Sequence, residues 1–309
     1  MRRTARFPAA AFGIMLLLLG CSSAPDQPEE VFDRQNQGAS FADFGNAYFA
    51  QGQYPRALYF FQLALNEHRA VDNEVGICRS LNSLGSVYLA AGHLDAAERN
   101  FDDAIAIADK LEDPALLALS YNNAGELALR RGEPAEAVES FEAALDYVSP
   151  EGRAQEAIIR HNLGVALLRQ NSLEAAEVSF RQALSLNEAE TRKAEAAANW
   201  YMLASLRSRQ GDYPEAADYA RRALELDKQM ENSLGIAKDL RALGAIHAGM
   251  EEYPAALDYT RRALEVYVAL NMVRETAETL ETLEALSRRA GEEEQAEEYR
   301  RQRERLEDI

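Results

Sequence analysis

Four histidines, two cysteines and a few adjacent acids are the residues of this 309-residue chain whose chemistry could be catalytic. His68, His93, His161 and His247 are widely separated, and none has a second histidine or a cysteine at metal-ligand spacing. Cys78 stands alone and reads as a small buried apolar group, with a reactive thiol as the alternative. Asp102 and Asp103 are neighbours on a helical stretch and so point apart, which does not make an acid–base pair. The chain has no glycine-rich phosphate loop and no Gly-x-Ser-x-Gly elbow. No residue set supports an enzyme, and no metal or cofactor is expected.

A second group of side chains suits binding. Arg130, Arg169 and Arg209 each fall five residues after Gly125, Gly164 and Ala204, so a repeating helix would present them as a ladder. Arg79, Lys238 and Arg241 extend the positive charge toward both ends, and Asn82, Asn122, His161 and Tyr201 share the same helical stripe. Asparagine pairs with a peptide backbone through both donor and acceptor, and arginine grips carboxylates with two donors. Such an edge would take an acidic segment or a terminal carboxylate. The other account is local: cations in a last helical turn are favoured by about 0.3–1 kcal/mol without any ligand.

The elements that must position these residues follow from Leu84-Gly85-Ser86-Val87-Tyr88 and the Ala97, Phe101 and Ala104 after it. Leu84, Gly85 and Tyr88 lie on one face of a helix, while the second trio falls at i, i+4 and i+7 on the next. Glycine inside a helix costs about 1 kcal/mol against alanine, so Gly85 implies close approach. Gly85, Ala97 and Ala104 would let two backbones touch, with Tyr88 and Phe101 filling the space beside them. The frame recurs at 45, 85, 125, 164, 204, 244 and 284, a period of 40 with one step of 39. The units at 204 and 244 lose the phenylalanine, and the last places Glu284 where glycine belongs. Pro55, Pro134, Pro214 and Pro254 each open a second helix. A fixed period of this length specifies a solenoid in which each unit buries its apolar face on the next.

This pattern resembles the tetratricopeptide repeat family, and Trp200, four residues before Ala204, stands at that family's tryptophan position. The unit is longer than the common 34 residues, as in longer-period adaptors such as kinesin light chain. The resemblance implies an all-α solenoid, a right-handed superhelix of antiparallel helix pairs. It covers residues 38–309 as six units and a degenerate, charged capping unit. It further implies a concave face, built mainly by the first helix of each pair, that holds extended peptides or partner helices.

Ahead of the repeats, the basic Met1 to Arg6 and the apolar run Ala9 to Leu19 fit a secretory signal, too short for a permanent membrane span. The run closes in Leu18-Leu19-Gly20-Cys21, which resembles the lipobox of bacterial lipoproteins. That resemblance implies removal of residues 1–20, acylation of Cys21, and no intramolecular disulfide thereafter. An ordinary signal or N-terminal anchor is the alternative, and Arg2-Arg3 also allows twin-arginine export. Residues 21–37, rich in Ser, Pro, Asp, Glu and Gln, read as the lipidated cysteine and a flexible tether. Ser22 after the cysteine, by the same resemblance, points to the outer membrane facing the periplasm.

The net charge is −18, and about −21 without the three arginines of residues 1–20. Nucleic acid and nonspecific binding to anionic lipid are therefore unfavoured. The expected function is a membrane-tethered scaffold for other envelope proteins. A pilotin-like assembly chaperone for an outer-membrane complex is the second reading.

Overall fold

The structure, a computed structural model, describes residues 27–307. The apolar run and Cys21 lie outside the described residues. Fourteen helices make up the described residues. In order they are α1 (Gln27–Ala50), α2 (Tyr54–Ala70), α3 (Glu74–Ala90), α4 (Leu94–Lys110), α5 (Pro114–Arg131), α6 (Pro134–Asp146) and α7 (Arg153–Arg169). The second half comprises α8 (Leu173–Ala189), α9 (Lys193–Arg209), α10 (Tyr213–Gln229), α11 (Ser233–Gly249), α12 (Tyr253–Ala269), α13 (Val273–Ala290) and α14 (Glu293–Glu307).

Two turns alternate along the chain. Within each unit the chain reverses seven residues past the anchor, in the left-handed region. Gly52, Gly92, Gly132, Gly211 and Gly291 stand there with φ from +70° to +82°, a conformation glycine adopts without steric penalty. Asn171 and Glu251 hold the same place in the other two units. Between units the left-handed position is taken by Asp72, Glu112, Thr191, Glu231 or Asn271. The third boundary differs, which explains the 39-residue step. Helix α6 ends at Asp146, and Ser149-Pro150 follows, where proline disfavours helix for itself and the residue before it.

The glycine anchors have a different cause from the one expected. The ring of Phe61 lies over Gly45, Phe101 over Gly85, Phe141 over Gly125 and Phe180 over Gly164. A β-carbon at any of these glycines would stand under 3 Å from the ring, so the glycine seats an aromatic ring and not a second backbone. The partner is always sixteen residues ahead. Where the phenylalanine is lost the pair becomes Ala204 with Ala220, or Gly244 with Thr260, whose Oγ1 fills the space above the glycine. In the last unit Glu284 is buried and paired to Arg288 at 2.7 Å and Arg303 at 3.3 Å, so an ion cluster replaces the ring at the solenoid's end.

One boundary expectation is overturned. Helix α1 begins at Gln27, so residues 27–37 are helix and not the coil expected for the whole of 21–37. Arg34 pairs with Glu67 of α2 at 3.1 Å, and Gly38 lies against the buried His68 ring, tying the added turns to the first unit.

The helices are packed as antiparallel pairs, each second helix also meeting the first helix of the next unit. First helices additionally touch one another across α1–α3, α3–α5, α5–α7 and α9–α11, with no comparable contact among second helices. The first helices therefore run on the tighter, inner side of the curve.

Candidate functional site

Among the described residues, open hollows follow the inner face along its length, and three of them gather the residues expected to bind. The first, of about 560 Å³, spans units one to four and is lined by Phe49, Ser86, Leu89, Asn123, Glu126, Leu129, Arg130, Asn162 and Arg169. Two of the expected ladder residues, Arg130 and Arg169, are thus brought to one site. The second, of about 250 Å³, is lined by His161, Tyr201, Met202, Asp227, Asn232, Lys238 and Asp239 among others. The third, also about 250 Å³, gathers Tyr201, Ser205, Ser208, Arg209 and Arg241. Tyr201 lies on the wall common to the last two.

The arginines divide into tied and free. Arg169 donates from Nη1 to the carbonyl of Leu129 at 2.6 Å, in the last turn of α5. It therefore caps a carbonyl of the preceding unit, the role physics assigns to a cation near a helix C-terminus. Arg241 pairs with Glu278 at 3.3 Å. Arg79, Arg130, Arg209 and Lys238 are exposed, and none makes a hydrogen bond or ion pair with a described residue. Arg130 and Arg209 are the two ladder members with unused donors.

The two asparagines expected in the trough are not available there. Asn82 is buried, donating to Ser120 Oγ at 2.8 Å and to the Cys78 carbonyl at 3.1 Å, while its Oδ1 accepts from Asn123 at 2.8 Å. Asn122 is likewise buried; it donates to Glu126 Oε1 at 3.0 Å and accepts from Asn162 at 3.0 Å. Asn162 also donates to Glu126 at 3.1 Å. These amides join one unit to the next, because two facing helix backbones leave polar side chains between them that must find partners. His161 bonds through Nδ1 to Asn199 Oδ1 at 3.0 Å across the next boundary, and burial lowers its pKa, so the ring stays neutral. Burial raises the pKa of the Glu126 carboxyl, with the two asparagine donors opposing it.

Sequence reasoning passed over Asn123, Asn162, Asn199 and the buried pair Asp227 and Asp239. The asparagines carried a signal: Asn82, Asn122 and Asn162 are themselves spaced by 40 residues. Cys78 is buried as expected, its Sγ donating to the Ala104 carbonyl at 3.3 Å, and burial pushes its thiol pKa up. His247 is buried too, stacked on Tyr259 and bonded to Glu252 at 2.7 Å. Among the described residues no three His, Cys, Asp or Glu side chains converge on a metal-sized site, and no helix is long and apolar enough to cross a membrane.

The tetratricopeptide repeat family model matches residues 38–110, 116–189 and 194–269. No curated protein is matched by the chain. Among solved structures, the apo form of RapI aligns with a TM-score of 0.72 at 15% identity, covering 90% of this chain and 76% of that one. A STAND signal-transduction ATPase with a tetratricopeptide repeat sensor, from Pyrococcus horikoshii, aligns at 0.74 and 15% identity over 88% of this chain and 43% of that one. A Rap protein complexed with competence and sporulation factor aligns at 0.64 and 15% identity, over 88% and 75%.

Proposed function

Since the chain belongs to the tetratricopeptide repeat family, we propose that it is an interaction scaffold, tethered to a bacterial envelope membrane, whose inner face holds a segment of another protein. The observation that carries this reading is the first hollow. It combines an apolar floor of Phe49, Leu89 and Leu129 with the unpaired Arg130 at its rim, in a chain whose net charge is −18. Anchors in an apolar patch with a few placed polar groups are how grooves recognise extended segments. The likeness to a Rap protein in complex with a factor supports the same use of this fold. Arginine donors without a partner among the described residues suit carboxylates on an incoming chain.

The tether belongs to the proposal as well. In this proposal Cys21, after an apolar run and Gly20, is the acylated first residue of the mature chain, and the lipobox resemblance with Ser22 after the cysteine supports an outer-membrane location facing the periplasm. Labelling cells with a radioactive or alkyne fatty acid, in wild type and in Cys21→Ser, tests this part. Label in the wild type that disappears in the variant supports it; label retained in the variant contradicts it. Crosslinking in envelope fractions, with partners compared between the two, tests whether tethering determines which proteins the groove meets.

A further inference from the structure

The position five residues before each anchor is buried from the second unit onward. It holds Ser80, Ser120, Ile159, Asn199, Asp239 and Thr279. Five of these six are neutral, and three of them donate a hydrogen bond one turn back. Ser80 reaches the Gly76 carbonyl at 2.8 Å, Asn199 that of Glu195 at 2.8 Å, and Thr279 that of Glu275 at 2.6 Å. Asp239 is the exception: a carboxyl only 2% exposed, whose Oδ2 is reached by no nitrogen or hydroxyl donor among the described residues, so that within the fold it can bond only by sharing a proton with Asp227. A buried polar atom left unpaired is costly and rare in a native fold.

A second acid stands beside it. Asp227, at the end of α10, is buried and accepts from Asn232 Nδ2 at 2.9 Å, and its other oxygen lies over Gly235. The same arrangement occurs at the first unit boundary, where His68 takes the place of Asp227, Asn73 that of Asn232, and Gly76 that of Gly235. There the position of Asp239 is Ser80. Packing at a unit boundary therefore needs neither acid, and the pair at the later boundary has to be explained otherwise.

Both acids line the second hollow, which opens on the inner face between Tyr201, Met202, Leu234 and Lys238. Lys238 is exposed and pairs with neither acid. We propose that Asp227 and Asp239 form a binding site for a primary ammonium group, presented by a lysine side chain of the partner segment. An ammonium is a compact charge with three donors. One donor meets Asp239 Oδ2, the carboxyl of Asp227 lies next to it, and Tyr201, Met202 and Leu234 offer apolar surface to the alkyl stem. Burial, and after it the charge of Asp227 and a hydrogen bond shared with it, push the Asp239 carboxyl up to about 8 against the opposing charge of Lys238, so the pair holds a proton near neutrality that a bound cation would displace.

This inference rests on the inner face being a partner groove, but its test does not require the partner. n-Butylammonium is titrated into the full chain at pH 8 and followed by ligand-observed NMR, with n-butanol as the uncharged control. Asp239→Asn is the first variant, since Asn199 already fills the same position in the preceding unit, and Asp227→Asn is the second; circular dichroism verifies their folding. The expected result is saturable binding of the ammonium and not of the alcohol, weakened at least about tenfold in a folded variant, the equivalent of 1.4 kcal/mol. Absence of saturable binding to wild type, equal binding of the alcohol, or undiminished binding to the folded variants would overturn the site. Those failures would leave the scaffold reading standing, whereas loss of partner capture with ammonium binding intact would count against the scaffold alone.

Discussion

The ring of Phe141 fills the space that any side chain on Gly125 would need: its Cε1 lies 2.6 Å from where a β-carbon would stand. The pair is sixteen residues apart, and the same spacing relates Ala204 to Ala220, where both partners have changed together. Gly125→Ala is therefore expected to destabilise by about 1–3 kcal/mol through overpacking, despite the helix propensity it gains. In the Phe141→Ala background the same methyl enters vacated space and should stabilise. A double-mutant cycle by chemical denaturation checks this, with a coupling of at least about 1 kcal/mol expected. Additive effects would show that the ring and the glycine are independent.

Phe141 is fully buried among Ala118, Ala137, Ala144, Ile159 and Leu163, residues of both its own unit and the next. Its truncation to alanine should cost about 3–5 kcal/mol. In a linear array the loss is local, because each unit draws its stability from its neighbours. Hydrogen exchange is expected to quicken first in α5 to α8, with the ends protected longer. Uniform protection and an unchanged melting curve would contradict the placement.

The frame of this fold was legible because its period is carried by small and aromatic residues that have few other uses. Leu84-Gly85 and Phe101 were enough to place two helices and the turn between them. Their mutual contact was not legible from one unit; it emerges when Phe101 and its equivalents are set sixteen residues from each anchor. The groove was read less well for a physical reason. Asn82 and Asn122 share a helical stripe with Arg130, but a stripe at a unit boundary is partly roofed by the next helix, and short side chains end beneath it while long ones escape. The tether was misjudged at Gln27 to Gln37, where polar composition concealed a helix held by Arg34 and Glu67. Asp227 and Asp239 went unnoticed because they meet across a turn, and only the neutral residues at the equivalent positions mark Asp239 as unusual.

Asp239 also sets a pH dependence. Its folded pKa, about 8, stands above the ordinary carboxylate value of 3.8, so the folded state binds the proton more tightly than the unfolded chain. The stability it contributes is complete below the ordinary value and is lost as pH rises toward 8. The groups facing it are Asp227 from α10, Lys238 on α11, Tyr201 on α9 and His161 on α7, the last held neutral by burial. Asp239→Asn should flatten the decline between pH 5 and pH 8 and stabilise the protein at the upper end by roughly 1–3 kcal/mol. Melting curves across that range check it; an unchanged slope would assign the decline to other groups.

Capture of a partner by the inner face is the central claim, and reversing charge at the first hollow tests it most directly. Arg130→Glu with Arg169→Glu leaves the helix frame intact and removes one capping bond, that from Arg169 to the Leu129 carbonyl. A small loss of stability is therefore expected, about that of one exposed hydrogen bond, roughly 0.5–1.5 kcal/mol. Crosslinking followed by mass spectrometry, on wild type and the double variant at matched expression, is the measurement. The account predicts that the wild-type partner set is lost in the folded variant, and that wild-type capture weakens as salt is raised. A partner set that survives the double reversal, in a protein shown to be folded, would contradict the groove as the binding surface.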